Sequence, residues 1–327
     1  MRFLWAVFLC VWAACAPAQD AATITRLEAA FADWLEVNQS GNGTLAITYR
    51  GRLVHSAGIG ISADTPVEVA SLSKAITAVC MADLVNDGLL NWTDTIGQHL
   101  GDVFPRMNSR VRDVTLADVL THASGIGPDS TQRVIPRWLN QGEPRHWDIA
   151  RQAVRRRQRK DNIGKFVYNN ENYAILGQVI TEVTGTLYRD ACRARVIPTS
   201  LYPTAAVSPR FGAYDSLGGW MMSAQDYAKF HARHFGPGST VATLPRAFPH
   251  VALEGNAFYG PGMVWRAFRS SHNFWHFGSL CYVSLGRGAF VVNWVGEWGV
   301  VATWDSCQRP EVMTRLEQGL SRAVFVR

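Results

Sequence analysis

The sequence lacks the residue patterns that mark several common classes of protein. It has no CxxC pair and no cluster of Cys and His at metal-ligand spacing, which argues against a structural zinc site. No His/Asp cluster suggests a metal-dependent hydrolase, and no internal period or low-complexity segment suggests a repeat protein or a disordered chain. Charged residues make up 18% and hydrophobic residues 47% of the chain, which is ordinary for a globular domain. The length of 327 residues fits one two-lobed catalytic domain.

One apolar run occurs at the N-terminus, between Phe3 and Cys15, and small residues follow it at positions 16–18. This order is typical of a secretory signal peptide of residues 1–18, and the run is too short for a membrane span. We therefore expect a periplasmic or secreted protein whose mature part, residues 19–327, has no integral membrane span. A lipoprotein signal with Cys15 as the lipidated residue is the minor alternative.

Export affects how the charges and the cysteines are interpreted. The formal net charge is +6, and the densest basic run is residues 151–160. A solvated helix face is the commoner role of such a run, and nucleic acid is a poor partner for an exported protein. An oxidising compartment permits disulfides. Cys281 and Cys307 lie in or beside the C-terminal strands, so they either pair or stay buried as free thiols.

The N-terminal part predicts a helix, a β-hairpin and a second helix. Thr25 and Glu28 have the spacing of a capping box before an amphipathic stretch. Residues 45–49 then alternate as a strand does, and a turn is expected at residues 50–51. The long helix that follows is expected to begin at Ser71.

The C-terminal part predicts an antiparallel meander and a final helix. Residues 274–285, 288–296 and 299–305 are rich in aromatic and β-branched residues, with glycine-containing turns. Pro310 suits the first turn of the last helix. Residues 88–254 show no sustained alternation, which indicates helices and loops.

These elements predict an α/β fold of the α+β type, with one five-stranded antiparallel sheet flanked by helices. Residues 19–85 and 255–327 would form this α/β lobe, and residues 86–254 a mainly helical lobe of the same domain. Ser71 would lie where the two lobes meet, a common place for a ligand site.

Ser71 and Lys74 are the first candidates for catalytic residues. Residues three apart share one face of a helix, so the amine of Lys74 can reach the hydroxyl of Ser71. The positive end of the helix dipole favours negative charge near the first turn. A lysine in a partly apolar cleft has a lowered pKa and can accept the serine proton. Because a Ser-x-x-Lys spacing arises by chance about once in a chain of this length, its context decides.

Two further segments offer polar groups for the same cleft. Tyr168 can act as a base or proton relay, and the amide of Asn170 can hold a substrate carbonyl or orient the lysine. His276 opens a predicted strand, and Gly278 permits a close approach to its backbone. The N–H of Ser279, with that of the nucleophile, would then form an oxyanion hole.

The order of these motifs resembles the serine β-lactamase and penicillin-binding-protein superfamily. The Ser-x-x-Lys motif begins a helix after a hairpin, the Tyr-x-Asn motif lies in the helical insertion, and the His-x-Gly motif begins a strand of the closing sheet. The resemblance is nearest to the branch of class C β-lactamases, D-Ala-D-Ala carboxypeptidases, D-aminopeptidases and esterases, and it covers about residues 24–325. Further similar segments are residues 69–77, 120–126, 218–224 and 259–262.

This resemblance implies a β-lactamase/transpeptidase-like fold and a serine hydrolase that forms an acyl-enzyme on Ser71. Such a hydrolase needs no metal and no organic cofactor. Lys74 and Tyr168 then activate the nucleophile, Asn170 contacts the substrate, and the N–H groups of Ser71 and Ser279 stabilise the oxyanion. Which of the lysine and the tyrosine takes the first proton stays open.

One departure from the family pattern bears on the substrate. β-Lactamases of this branch carry a lysine where His276 stands, and a neutral imidazole is a weaker anchor for a carboxylate. We therefore expect an acyl substrate that is an ester or a D-amino-acid amide or peptide. A true β-lactamase is one alternative, and an inactive homologue that binds cell-wall fragments or a partner protein is the alternative of a different class. Association with the cell wall is compatible with these functions.

Overall fold

The computed structural model describes residues 18–268, 271–282, 285–294 and 297–325. The predicted signal peptide, apart from Ala18, and the alternative lipid site at Cys15 lie outside the described residues. No helix in these ranges combines the length and the apolar character that a bilayer span requires.

Strands concentrate at the two ends of the described chain, and most of the helices lie between them. The helices are α1 (Ala18–Val37), α2 (Ser73–Asn86), α3 (Ile96–Leu100), α4 (Ser109–Arg112), α5 (Leu116–Leu120), α6 (Thr131–Val134), α7 (His146–Ala153), α8 (Asn170–Thr184), α9 (Tyr188–Arg195), α10 (Ala224–Phe235), α11 (Thr240–Thr243) and α12 (Pro310–Phe325). The strands are β1 (Gly43–Tyr49), β2 (Arg52–Ile59), β3 (Val67–Glu68), β4 (Ser124–Ile126), β5 (Gln158–Ile163), β6 (Ala206–Val207), β7 (Trp220–Met222), β8 (Val251–Ala252), β9 (Ala257–Tyr259), β10 (Val264–Phe268), β11 (Ser271–Tyr282), β12 (Leu285–Trp294) and β13 (Trp298–Trp304).

The main sheet has eight described strands, in the order β2-β1-β13-β12-β11-β10-β9-β8, and neighbouring strands are antiparallel. The fold class is confirmed, but the prediction of five strands is wrong, because β8, β9 and β10 extend the sheet beyond β11. β8 and β9 have only two and three residues, which is too short for alternation to reveal a strand.

The bounds of β11 also differ from the prediction. It spans Ser271–Tyr282 instead of residues 274–285. The polar residues at its start carry no strand signal in the sequence. They are strand because β10 pairs with them, with Phe268 opposite Ser271. Pairing across the sheet has therefore overridden local composition.

Both faces of the central strands are covered. On β13, Val300 and Ala302 point into a core formed with α1 and α12, whereas Val301 points into the larger core beneath the helical part of the chain. Successive side chains of a strand point to opposite faces, so β13 is apolar on both. This arrangement places β11, an interior strand between β12 and β10, against the turn at residues 70–72.

The first helix begins earlier than the sequence predicts. α1 starts at Ala18, and the Thr25 hydroxyl donates to the Ala21 carbonyl inside the helix rather than capping it. The Glu28 carboxylate lies 3.0 Å from His55 Nε2 on β2, so it links the helix to the sheet. The capping-box prediction is wrong because the chain before Thr25 is already helical.

Two disulfides join distant segments. Cys281–Cys307 realises the pairing that the sequence left open. Cys80–Cys192, which the sequence did not indicate, joins α2 to α9. The α-carbons of each pair are 5.5 Å apart, which is the usual spacing for a disulfide.

Candidate active site

Ser71 lies in a tight turn that joins β3 to α2. Residues Ala70–Leu72 form a single 3-10 turn, so α2 begins at Ser73 and not at Ser71 as predicted. Ala70 has φ +50°, a left-handed conformation that is uncommon for a residue with a β-carbon. The turn is held by the Val69 N–H, which donates to the Trp220 carbonyl at 3.0 Å.

Strand β11 passes directly against this turn. A β-carbon at Gly278 would lie 2.8 Å from the Val69 carbonyl oxygen and 3.0 Å from the Ser71 nitrogen. Only glycine fits there, because real β-carbons do not come within such distances of backbone atoms. The predicted close approach of backbone at Gly278 is thus present, and it brings the backbone after Gly278 beside the nucleophile.

Lys74 is fully buried one turn after Ser71. Its Nζ donates to Ser71 Oγ at 3.2 Å and to the Leu217 carbonyl at 2.6 Å. Desolvation lowers the pKa of Lys74 to about 7, and the negative charge of Asp129 only partly opposes this effect. A neutral amine, able to accept a proton, is therefore well populated at neutral pH.

Tyr168 approaches the nucleophile from the helical insertion. Its hydroxyl donates to Ser71 Oγ at 3.0 Å, while 37% of the residue remains exposed at the cleft mouth. Desolvation of the inward-pointing hydroxyl raises its pKa above the ordinary value. The phenol thus keeps its proton at neutral pH and donates a hydrogen bond to Ser71 Oγ. Its role as a base or proton relay stays a prediction.

Asn170 begins α8 and lines the same cleft. Its amide Nδ2 donates to Asp129 Oδ2 at 3.0 Å and to Thr131 Oγ1 at 3.1 Å. In the part of the chain that the structure describes, no hydrogen bond joins Asn170 to Lys74, so it orients the loop at residues 129–131 rather than the lysine. Contact with the substrate stays a prediction.

His276 lies on β11 and is buried at the cleft wall. Desolvation, and then the charge of Lys74, lower the pKa of His276 to about 3. Its Nδ1–H donates to the Phe277 carbonyl at 2.6 Å, which fits a neutral ring. Ser279 also lines the cleft, and its role as an oxyanion donor stays a prediction.

These residues surround a cavity of about 360 Å³ above Ser71. Among the described residues that line it, none carries a carboxylate, an ammonium or a guanidinium group. Aromatic side chains form part of the wall, including Phe166, Tyr168 and Tyr259. At the mouth, the Tyr282 hydroxyl donates to Gln132 Oε1 at 3.0 Å and bridges β11 to α6.

Two residues near the site were not singled out from the sequence. Asp129 accepts hydrogen bonds from the backbone and side chain of both Thr131 and Asn170. Its Asp-x-Thr spacing is the sequence signal of such a turn. His122 lies in the segment 120–126 that resembles the family, but the sequence analysis assigned it no role of its own. It is buried behind Tyr168.

The described residues contain no group of three or more His, Cys, Asp or Glu side chains placed to hold a metal ion. The chemistry visible at the site is instead a serine hydroxyl between an amine and a phenol.

An antiparallel sheet flanked by helices, with a serine, a lysine and a tyrosine joined beside its strand β11, defines an active-site-serine protein of the β-lactamase-like fold. Residues 27–308 match the sequence profile of the family described as Beta-lactamase. The chain belongs to that family.

Similar proteins include both sequence relatives and solved structures. Protein flp of Staphylococcus aureus (strain MW2) is 29% identical over 127 residues, which are 39% of this chain and 25% of that protein. The chain thus matches about a quarter of the length of this relative. The structure of a β-lactamase/D-alanine carboxypeptidase from Pseudomonas syringae superposes with a TM-score of 0.73 at 16% identity, covering 92% of this chain and 99% of that one. A D-stereospecific amidohydrolase from Streptomyces sp. gives a TM-score of 0.68 at 19% identity, covering 94% and 98%.

Proposed function

We propose that this protein is a serine hydrolase that forms an acyl-enzyme on Ser71 and acts on an ester or a D-amino-acid amide or peptide. One observation carries the proposal. Ser71 Oγ lies within hydrogen-bond distance of both Lys74 Nζ, at 3.2 Å, and the Tyr168 hydroxyl, at 3.0 Å, at the base of a cavity.

The proposed reaction begins with Lys74 in its neutral form. Ser71 Oγ attacks the carbonyl carbon of the substrate, and the serine proton passes to Lys74 Nζ. The N–H groups of Ser71 and Ser279 hold the oxyanion. The bond between the carbonyl carbon and the leaving group then breaks, and the proton held on Lys74 passes through the Tyr168 hydroxyl to the leaving group. Water then attacks the acyl-enzyme ester, one of its protons returns through the same groups to Ser71 Oγ, and the acid product leaves.

The character of the cavity supports a substrate without a carboxylate near the acyl group. A carboxylate buried there would meet the neutral ring of His276 and no lining cation. Burying an unpaired charge is strongly unfavourable. Neutral acyl groups match the aromatic wall instead, and the similar Streptomyces protein is described as a D-stereospecific amidohydrolase.

The substrate class is tested by kinetics on three groups of compounds. We expect measurable kcat/KM for neutral 4-nitrophenyl esters or for D-amino-acid 4-nitroanilides, and slower turnover of benzylpenicillin. Ser71→Ala is the matched control and should abolish all of these activities. Faster turnover of benzylpenicillin than of every ester and amide would favour the β-lactamase alternative. Inactivity of a folded wild type towards all three groups would favour an inactive homologue that binds cell-wall fragments or a partner.

We also propose that the mature protein is periplasmic or secreted. The disulfides Cys80–Cys192 and Cys281–Cys307 support this location, because such bonds persist in oxidising compartments. N-terminal sequencing of the protein from its native host should find Gln19 as the first residue. A lipid-modified Cys15 would instead establish the lipoprotein alternative, and co-sedimentation with isolated cell walls tests the proposed wall association.

A further inference from the structure

His122 occupies an unusual position behind the site. It follows α5 and precedes β4, with only 1% of its surface exposed. Its φ is +61°, in the left-handed region that residues with a β-carbon seldom adopt. Such a conformation persists only where the surrounding contacts fix it, and these conformations are concentrated at functional sites.

Those contacts hold the chain on both sides of Tyr168. The Val167 N–H donates to the His122 carbonyl at 3.0 Å. The Asn169 N–H donates to His122 Nδ1 at 3.2 Å. The residues immediately before and after Tyr168 are therefore attached to one residue, His122, through its backbone and its ring.

The imidazole also supports the tyrosine ring itself. The centroid of the imidazole is 4.5 Å from that of the Tyr168 ring. The rings of Tyr259 and Tyr173 also contact the imidazole, with centroid distances of 4.9 and 5.2 Å. The phenol is thus backed by a packed aromatic group and is not free to move deeper into the protein.

We propose that His122 is a positioning residue that fixes Tyr168 with its hydroxyl on Ser71. The inference rests on the proposed function, because it assigns a role within that reaction. His122 contributes an acceptor at Nδ1, a backbone carbonyl and a ring face. It acts through Tyr168 and does not line the cavity.

The hydrogen bond from the Asn169 N–H identifies Nδ1 as the ring nitrogen of His122 that holds the loop. Because Nδ1 accepts, the ring proton resides on Nε2, which has no hydrogen-bond partner among the described residues. A substitution that preserves an acceptor at the Nδ1 position should therefore preserve the positioning, and one that moves the polar group to the Nε2 position should not.

The test compares His122→Asn with His122→Gln. The Asn side chain ends where Nδ1 stands and tolerates a left-handed backbone, whereas the Gln amide reaches to the Nε2 position. We expect His122→Gln to lower kcat about 100-fold, since a displacement of about 1 Å in a reacting group can cost that much, with KM little changed. His122→Asn should keep kcat within about tenfold of wild type. Equal losses in both variants, or an unchanged kcat in His122→Gln, would overturn the proposal.

Amide hydrogen exchange of the peptide that contains residues 163–172 gives a second measurement that does not require activity. Faster exchange in His122→Gln than in His122→Asn, with circular dichroism like wild type in both, is the expected result. Equal protection in the two variants would refute the attachment of the loop. If wild type neither turns over substrate nor forms an adduct, the proposed function fails, and the role of His122 in that reaction fails with it. The exchange result still decides whether His122 holds the loop.

Discussion

The buried amine of Lys74 makes a quantitative prediction about stability. Replacement of Lys74 by Met keeps a side chain of similar length and removes the group that burial disfavours when it is charged. The pKa of Lys74 falls from 10.5 to about 7 on folding. A difference of that size corresponds to a cost of about 5 kcal/mol when the lysine is protonated in both the folded and the unfolded protein.

The sign of the pH dependence follows from the direction of this pKa change. Below about pH 7 the folded and unfolded states both hold the proton, so the full cost is present. As pH rises from 7 towards 10.5, the folded protein has released its proton and the unfolded chain has not, so the wild type gains stability. The cost is about 2 kcal/mol at pH 9, and it therefore changes by about 3 kcal/mol between pH 6 and pH 9.

Lys74→Met also leaves the Leu217 carbonyl without its donor, which costs about 1–3 kcal/mol. This loss is nearly the same at every pH. It therefore offsets the difference in unfolding free energy between variant and wild type without changing how that difference depends on pH. We expect the variant to be more stable than wild type at pH 6 and to lose about 3 kcal/mol of that advantage by pH 9. The variant should also lack turnover, because methionine cannot accept the serine proton.

Urea unfolding of both proteins at pH 6, 7, 8 and 9, with the disulfides intact, measures this difference in unfolding free energy. Lys160→Met is the matched control, because Lys160 is an exposed lysine and lacks the burial from which the pH dependence of Lys74→Met is derived. A difference between Lys74→Met and wild type that stays constant from pH 6 to pH 9 would refute the reasoning, since Lys74 would then titrate as an ordinary lysine.

Three further predictions concern the cleft and the disulfides. Tyr168→Phe should lower kcat by about 10²–10³-fold in ester hydrolysis, because the proton relay is lost while Ser71 stays intact; an unchanged kcat would contradict the role of the phenol. Tyr282→Phe removes the bond to Gln132 across the cleft mouth, so KM for bulky acyl esters should fall about fivefold and KM for acetate esters should not change; an equal effect on both would show that the bridge does not limit acyl size. Replacing Cys80 and Cys192 together by Ala should lower the unfolding free energy by about 2–5 kcal/mol in urea, and a midpoint equal to that of wild type would show that the bond adds no stability.

Much of the site was predictable because its residues carry local signals. Ser71 and Lys74 stand three residues apart, and Tyr168 and His276 stand in short motifs whose order is informative. The structure brings the lysine and the phenol onto one serine oxygen. The sequence did not decide between them as the first base, because that depends on burial, which lowers one pKa and raises the other.

The parts that the sequence missed depend on contacts between distant segments. β8 and β9 are too short to alternate visibly and are strands because they extend the edge of the sheet. The partner of Cys80 lies 112 residues away, and only the packing of α2 on α9 identifies it. His122 has no local signal for its role, since its hydrogen bonds reach residues more than forty positions later.

The central claim is that Ser71 is the nucleophile. Intact-mass analysis of wild type and Ser71→Ala after incubation with a fluorophosphonate tests it most directly. We predict one covalent adduct on wild type, located on Ser71 by peptide mapping, and none on Ser71→Ala. No adduct on the folded wild type, or an equal adduct on the variant, would contradict the account.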